Sequence, residues 1–371
     1  MQRYKKIRFI KDIIRKCPGS YPLVLLFRLW KRIRWNLFRD FYRKRYTEKL
    51  IRNGNRKPVI LYLETVNICS NDCIFCGYSK MNREKAIMPL ATFEKALSDY
   101  SDMGGGPVSL TPIAGDVFFD DLLLERIKLS KKFKNITSIG FTTNAATSDR
   151  LSDNEMRWLV KNTDMMEISI YGLSEEEYNL ITRRNDYSKV IKNIARIIKI
   201  NTEAGEDGGR MSFGLRFLKN HNFKRIRSFM RNELNKNIGY DDFSSVYVTY
   251  GNWSGLIDTS TPLPLEAEWS KEKAQHTPCL IPMIGGQVLA DGSVSLCHCV
   301  DYGKESGFYL GNINKNSLSD IYSCKIIEKL WDLNDDPGMP SACTGCTFYR
   351  PLSDLPSCEH IFEDPLDFVA G

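Results

Sequence analysis

The chain has 371 residues, 42% of them hydrophobic and 26% charged. That is enough for two domains or one large α/β domain with an appendage, and it excludes a disordered or fibrous chain. The net charge of +7 is unevenly spread: residues 1–57 hold 19 Lys/Arg against Asp12, Asp40 and Glu48, a balance of +16, while the remainder stands at −9. A uniformly basic surface of the nucleic-acid-binding kind is therefore excluded.

Residues 1–57 read as a basic, aromatic-rich helical extension in which LFRLWKRIRWNLFRDFYRKRY interleaves Leu, Trp, Ile and Phe with Arg and Lys. That pattern fits an interfacial membrane helix, a basic helix packed on the acidic remainder, or a weaker nucleic-acid contact. The apolar stretch YPLVLLF is too short to span a bilayer, and no segment reads as a secretory signal. With 11 cysteines and no export signal, the expected setting is the reducing cytoplasm, possible contact with the inner membrane surface included, and the thiols point to metal or iron–sulfur ligation.

From Val59 the pattern alternates strand and helix. Strands are expected at VILYL, PVSLTPI, TSIGFTT, MMEISIYG, MSFGLRFL and SVYVTYG. Between them lie helices at LATFEKALSDYSDM, DDLLLERIKLSKKF, DNEMRWLVKN, YSKVIKNIARIIKI and FKRIRSFMRNEL. Six βα-type units predict a partial (β/α)6 barrel of TIM-like winding, open rather than closed. MGGGP (103–107) lacks a phosphate-loop pattern and reads as a tight turn. Beyond TPLPLE the character changes: QVLADGSVSL predicts a β-hairpin with a type I′ turn at Asp291-Gly292, followed by the helix SLSDIYSCKIIEKLW and a cysteine-bearing tail. The expected domains are therefore 1–57, 58–262 and 263–371.

Cys69, Cys73 and Cys76 stand just past the first strand, where barrel enzymes carry their chemistry. Three thiolates on one loop can hold three irons of a 4Fe–4S cube and leave the fourth iron to another ligand. Structural zinc would want a fourth donor, and Ser70, Asn71 and Asp72 are poor ones. Downstream, Cys279 and Cys297 flank the hairpin, which returns them toward each other, and Cys343 and Cys346 follow in CTGC. Four thiolates fit zinc or a fully ligated cluster on spacing alone.

The CX3CXφC loop after the first strand of a six-unit barrel resembles the radical S-adenosylmethionine (SAM) enzymes. The resemblance implies a 4Fe–4S cluster whose open iron is chelated by SAM, and reductive cleavage of SAM to a 5′-deoxyadenosyl radical that takes hydrogen from an unactivated C–H bond. It also implies an external one-electron reductant of the flavodoxin or ferredoxin kind. Matched to the family's GGE-like stretch, PIAGDVFFDD places Gly115 and Asp116 at the SAM amino group, with Ala114 and the shorter Asp116 as departures. Thr143, Asn144 and Ser169 resemble strand-end positions at the SAM ribose or carboxylate, and Arg216 resembles a carboxylate partner.

CX12GX4C, YLGNINKNSLSDIY and CTGC together resemble the SPASM/twitch extension, which implies at least one auxiliary 4Fe–4S cluster on Cys279, Cys297, Cys343 and Cys346. The full CX2CX5CX3C run is missing. Cys299 and Cys358 are spare and are candidate hydrogen donors for an epimerase; His298 and His360 beside them read as structural. The expected activity is dehydrogenation or epimerisation of a sugar, aminocyclitol or glycan substrate. A peptide-modifying maturase is the alternative within the family, and a non-catalytic metal-binding, membrane-associated protein is the alternative outside it.

Overall fold

The computed structural model describes residues 57–239, 242–271, 279–298, 309–323, 343 and 345–350, together with 30, 33, 37, 51, 52, 55 and 56. Cys299, Cys358 and His360 lie outside these residues, as does nearly all of the basic extension.

The chain runs β1 (Leu61–Leu63), α1 (Leu90–Asp102), β2 (Gly106–Ser109), α2 (Leu123–Ser130), β3 (Ile136–Thr143), α3 (Asp153–Asn162) and β4 (Met165–Tyr171). It continues with α4 (Glu175–Thr182), α5 (Tyr187–Ala204), β5 (Arg210–Arg216), α6 (Phe223–Leu234) and β6 (Phe243–Tyr247). Then come β7 (Gln287–Val288), β8 (Ser293–Ser295), β9 (Tyr309–Asn312) and α7 (Leu318–Tyr322). The helices begin where side chains can satisfy the free N–H groups. Ser152 and Glu155 form a reciprocal capping box on α3, Asn222 caps α6, and Ser317 with Asp320 boxes α7.

Strands β1 to β6 pair in sequence order and all in parallel, giving the expected partial barrel. The C-terminal hairpin joins the same sheet: β7 pairs in parallel with β1, with Gln287 opposite Tyr62, and β8 and β9 add antiparallel strands beyond it. Nine strands thus form one sheet among the described residues.

Strand alternation sorts the side chains. Ile139, Phe141, Met166, Ile168, Phe213 and Leu215 enter the main core with the helices. The register rows Gln287–Tyr62–Ser109–Gly140 and Thr142–Glu167–Ser212 occupy the other face.

Two details depart from expectation. The hairpin turn is not type I′: its central residues are Ala290 and Asp291, neither with a positive φ, and only Gly292, which closes the turn, has one, +83°. Gly292 N–H donates to Leu289 O, and Asp291 Oδ1 accepts from Ser293 N–H, which fixes Asp291 in an ordinary conformation. Helix α4 was not expected; its signal is Ser174, whose side chain caps Glu177 N–H three residues on. MGGGP is indeed a turn: Gly104, Gly105 and Gly106 all have positive φ, and a Cβ at Gly105 would collide with the Asn135 backbone.

Candidate active site

The first cysteine loop leaves the end of β1 and is stapled at its root. Glu64, fully buried, accepts two hydrogen bonds from Arg83 at 2.6 and 2.9 Å. Asn67 donates to Glu84 O and accepts from Ala86 N–H, and Val66 bridges Ile87. The far side of the loop docks on the unexpected helix: Asp72 N–H and Ile74 N–H donate to Thr182 O and Ile181 O at the end of α4. Phe75, the aromatic before the last cysteine, stacks on Tyr250 with ring centroids 3.9 Å apart and planes 2° from parallel.

This frame gathers Cys69, Cys73 and Cys76 as free thiols. Burial pushes the Cys69 thiol up to about 12, with the Asp116 charge adding to it, and drives Cys73 well above its usual range, with Cys76 and Cys69 adding. Buried thiols this close together stay protonated alone; metal ions remove those protons and supply the missing positive charge. Asn71 N–H and the Asn144 side-chain amide each donate to Cys69 Sγ at 3.4 Å. Such N–H···S bonds are the means by which a protein tunes an iron–sulfur cluster.

The AGD turn lies against the root of the loop. Gly115 has φ +154°, and a Cβ there would sit 2.6 Å from Val66 O, so only glycine fits. Asp116 N–H donates to Ile68 O at 2.8 Å. Its carboxylate accepts from Thr143 Oγ at 2.8 and 3.0 Å, from Asn144 N–H at 2.7 Å and from Phe118 N–H at 3.1 Å. Burial raises the Asp116 pKa to about 6, against these hydrogen bonds, which favour the ionised form. Both carboxylate oxygens therefore hold the end of β3, and through Asn144 they reach Cys69.

Across the sheet, Arg216 donates to Ser169 Oγ at 3.0 Å and lies over the rings of Tyr171 and Tyr247. Its charge bears on Cys73 and Cys76. Gly115, Asp116, Thr143 and Asn144 thus border the loop from one side, and Ser169 and Arg216 from the other.

Cys279, Cys297, Cys343 and Cys346 form a second set of free thiols, the first three buried. Burial pushes Cys279 up to about 12, with Cys297 and Cys346 adding; Cys343 is raised by burial and by the other three thiols. Arg350 N–H donates to Cys279 Sγ at 3.5 Å, and Cys346 N–H to Cys343 O. Among the described residues no three His, Cys, Asp or Glu side chains close on a single-ion site; a 4Fe–4S cube asks instead for one thiolate at each iron. His298 is structural, stacked on Tyr62 at 4.0 Å and bonded through Nδ1 to Gly285 O.

The sequence reading did not find α4, nor Trp253, which contacts both cysteine loops, nor Asn252, which binds the second. Ser-x-x-Glu marked the helix; no local signal marked the turn.

A family model described as the Radical SAM superfamily matches residues 63–230, and one described as an iron-sulfur cluster-binding domain, SPASM, matches residues 279–347. The GTP 3′,8-cyclase of Mannheimia succiniciproducens is 22% identical over 160 residues, 42% of this chain and 46% of that protein. That of Psychromonas ingrahamii is 23% identical over 156 residues, 41% of this chain and 44% of that protein. The match thus spans less than half the length of these relatives.

Among solved structures, BtrN in complex with AdoMet and 2-DOIA superposes with a TM-score of 0.50 at 15% identity, covering 79% of this chain and 94% of BtrN. Streptococcus suis SuiB bound to precursor peptide SuiA gives 0.52 at 14% identity, over 82% and 73% of the two chains. anSMEcpe with bound AdoMet and Cp18Cys peptide gives 0.52 at 14%, over 85% and 99%. At these identities the likeness is one of fold. The two family matches give this protein a Radical SAM domain and an SPASM domain, its cofactors being a 4Fe–4S cluster with SAM and auxiliary iron–sulfur.

Proposed function

We propose that this enzyme dehydrogenates or epimerises a small hydroxyl- or amine-bearing molecule of the sugar or aminocyclitol class, free or within a glycan. The observation that carries the reading is the polar inner face of the sheet. Closed TIM barrels fill that face with branched aliphatic side chains. Here Tyr62, Ser109, Thr142, Glu167, Ser169, Ser212 and Gln287 occupy it by register. Glu167 Oε2, Ser212 Oγ and Gln287 Oε1 are buried there with no hydrogen-bond partner among the described residues. Buried polar atoms left open cost free energy unless a ligand or water satisfies them, and hydroxyls and amines are the groups that match them.

In this reading Cys69, Cys73 and Cys76 hold the SAM-binding cluster, and Gly115, Asp116, Thr143, Asn144, Ser169 and Arg216 frame SAM. Cys279, Cys297, Cys343 and Cys346 hold an auxiliary cluster. When bound, the cluster and SAM supply the hydrogen-abstracting reagent, and an external one-electron donor starts it. Cys299 and Cys358 are the hydrogen-donor candidates if the outcome is epimerisation. The domains are 58–262 for the barrel and 263–371 for the cluster extension.

The basic extension is read as a peripheral contact with an anionic membrane surface on the cytoplasmic side. Trp30, Ile33 and Leu37 are helical, spaced to share one stripe, and 50%, 48% and 71% exposed. Their segment carries a balance of +16, the charge complement of anionic lipid. No helix among the described residues is long and apolar enough to cross a membrane.

Peptide modification is the second reading, favoured by the fold shared with SuiB and anSMEcpe, both solved with peptides bound. The test is incubation of the reconstituted enzyme with fractionated extract of deuterium-grown cells, followed by a search for deuterated 5′-deoxyadenosine. Label arising from small polar metabolites supports the first reading. Label from peptide or nucleotide fractions alone overturns it.

A further inference from the structure

The turn Asn252–Trp253–Ser254 touches both cysteine loops at once. Trp253 Nε1–H donates to Phe75 O at 2.6 Å, the carbonyl of the peptide bond leading into Cys76. The same indole packs edge-on against Phe348, centroids 5.4 Å apart. Asn252 N–H donates to Thr347 Oγ1 at 2.9 Å, Thr347 Oγ1 donates back to Asn252 Oδ1 at 3.0 Å, and Asn252 Nδ2 donates to Gly345 O at 3.2 Å. Gly345 and Thr347 are the two neighbours of Cys346, so two consecutive residues, Asn252 and Trp253, bind the chain on both sides of Cys346 and at the peptide unit leading into Cys76.

The backbone is committed to this contact. Trp253 and Ser254 have φ of +52° and +57°, a left-handed conformation that costs L-residues free energy and persists only where surroundings impose it. Gly251 is equally constrained: a Cβ there would lie 2.7 Å from the Phe348 ring and 2.8 Å from Thr347 Oγ1.

We propose that this turn is a yoke coupling the two cofactor sites, so that filling the auxiliary site tightens SAM binding at the first. Trp253 is a positioning residue: it orients the Cys73–Cys76 segment through the Phe75 carbonyl and takes its own position from the CTGC loop. Emptying the auxiliary site slackens Thr347 and Phe348, and the slack reaches Cys76 through the indole. The inference rests on the assignment of the two cysteine sets given above.

The experiment is a double-mutant cycle on the full chain, reconstituted anaerobically, with SAM affinity measured by equilibrium dialysis in the absence of reductant. C343A and W253F should each weaken SAM binding, on the order of fivefold or more, and the double variant should bind no more weakly than the weaker single. Additive losses, or wild-type affinity in C343A, overturn the coupling. Because C343A removes a cluster ligand, T347V gives a second arm: it breaks the Thr347–Asn252 hydrogen bonds and should weaken SAM binding in the same direction as W253F, with iron content unchanged. Wild-type SAM affinity in T347V overturns the coupling. Iron content and SAM binding of the wild type separate the two failures: if the thiol sets take up no clusters, the cysteine assignment and the yoke both fall, and if they load normally while the cycle is additive, only the yoke falls.

Discussion

The side-chain amide of Asn144 lies 3.4 Å from the sulfur of Cys69, 75 positions earlier in the chain. Asn144 is held there by its own N–H, which donates to Asp116. Removing that amide should strip one N–H···S bond from the first cluster and move its potential in the negative direction. N144A is therefore expected to retain iron but to need a stronger reductant, as measured by potentiometric titration followed by electron paramagnetic resonance.

The two thiol sets should separate in function. Alanine at Cys69, Cys73 or Cys76 is expected to abolish SAM cleavage altogether. Alanine at Cys279 or Cys343 is expected to stop substrate turnover while some uncoupled cleavage survives. Release of 5′-deoxyadenosine, measured beside product formation, checks this; equal loss in both groups of variants would contradict separate roles.

Arg83 is the sole cation in the described contacts of the buried Glu64 carboxylate. Burial raises the pKa of Glu64 while Arg83 opposes that rise. R83M leaves the carboxylate buried and uncompensated, a change worth about 3–5 kcal/mol of stability. Denaturant unfolding should show that loss, and E64Q combined with R83M should recover part of it.

Glu167 gives stability a pH dependence. Burial raises its carboxyl pKa, with Arg216 and Ser244 pulling the other way. Between the unfolded value of about 4.3 and the higher folded value, the folded state holds more protons than the unfolded state, so stability falls as pH rises. E167Q should therefore match the wild type below that window and exceed it above, as read by unfolding curves across the range. An advantage independent of pH would place the effect outside ionisation.

Serine at Trp30, Ile33 and Leu37 together should abolish sedimentation of the full chain with phosphatidylglycerol vesicles. The wild type should bind these and not phosphatidylcholine, with binding weakened by salt. Equal binding to both lipids, or an unaffected triple variant, would show that the extension serves another purpose.

Local sequence determined the six parallel strands, all the helices between them but α4, the hairpin and the chemistry of the thiols, because apolar periodicity, capping residues and cysteine spacing act over a few positions. Helices Asp153–Asn162 and Phe223–Leu234 begin and end where their caps and apolar pattern put them. The spacing of Cys69, Cys73 and Cys76 likewise already implied a cluster with an open corner. Tertiary structure decided what surrounds that corner. Asp116 was legible as a carboxylate after the second strand, yet its attachment to Thr143 and Asn144 spans two strands and follows from sheet register. Trp253 meets Phe75 across 178 positions, and Asn252 meets Thr347 across 95. No local pattern encodes such contacts, since they arise only when chain closure brings distant segments into register. The same holds for the hairpin, legible as a hairpin but added to the barrel's sheet only because Gln287 finds Tyr62.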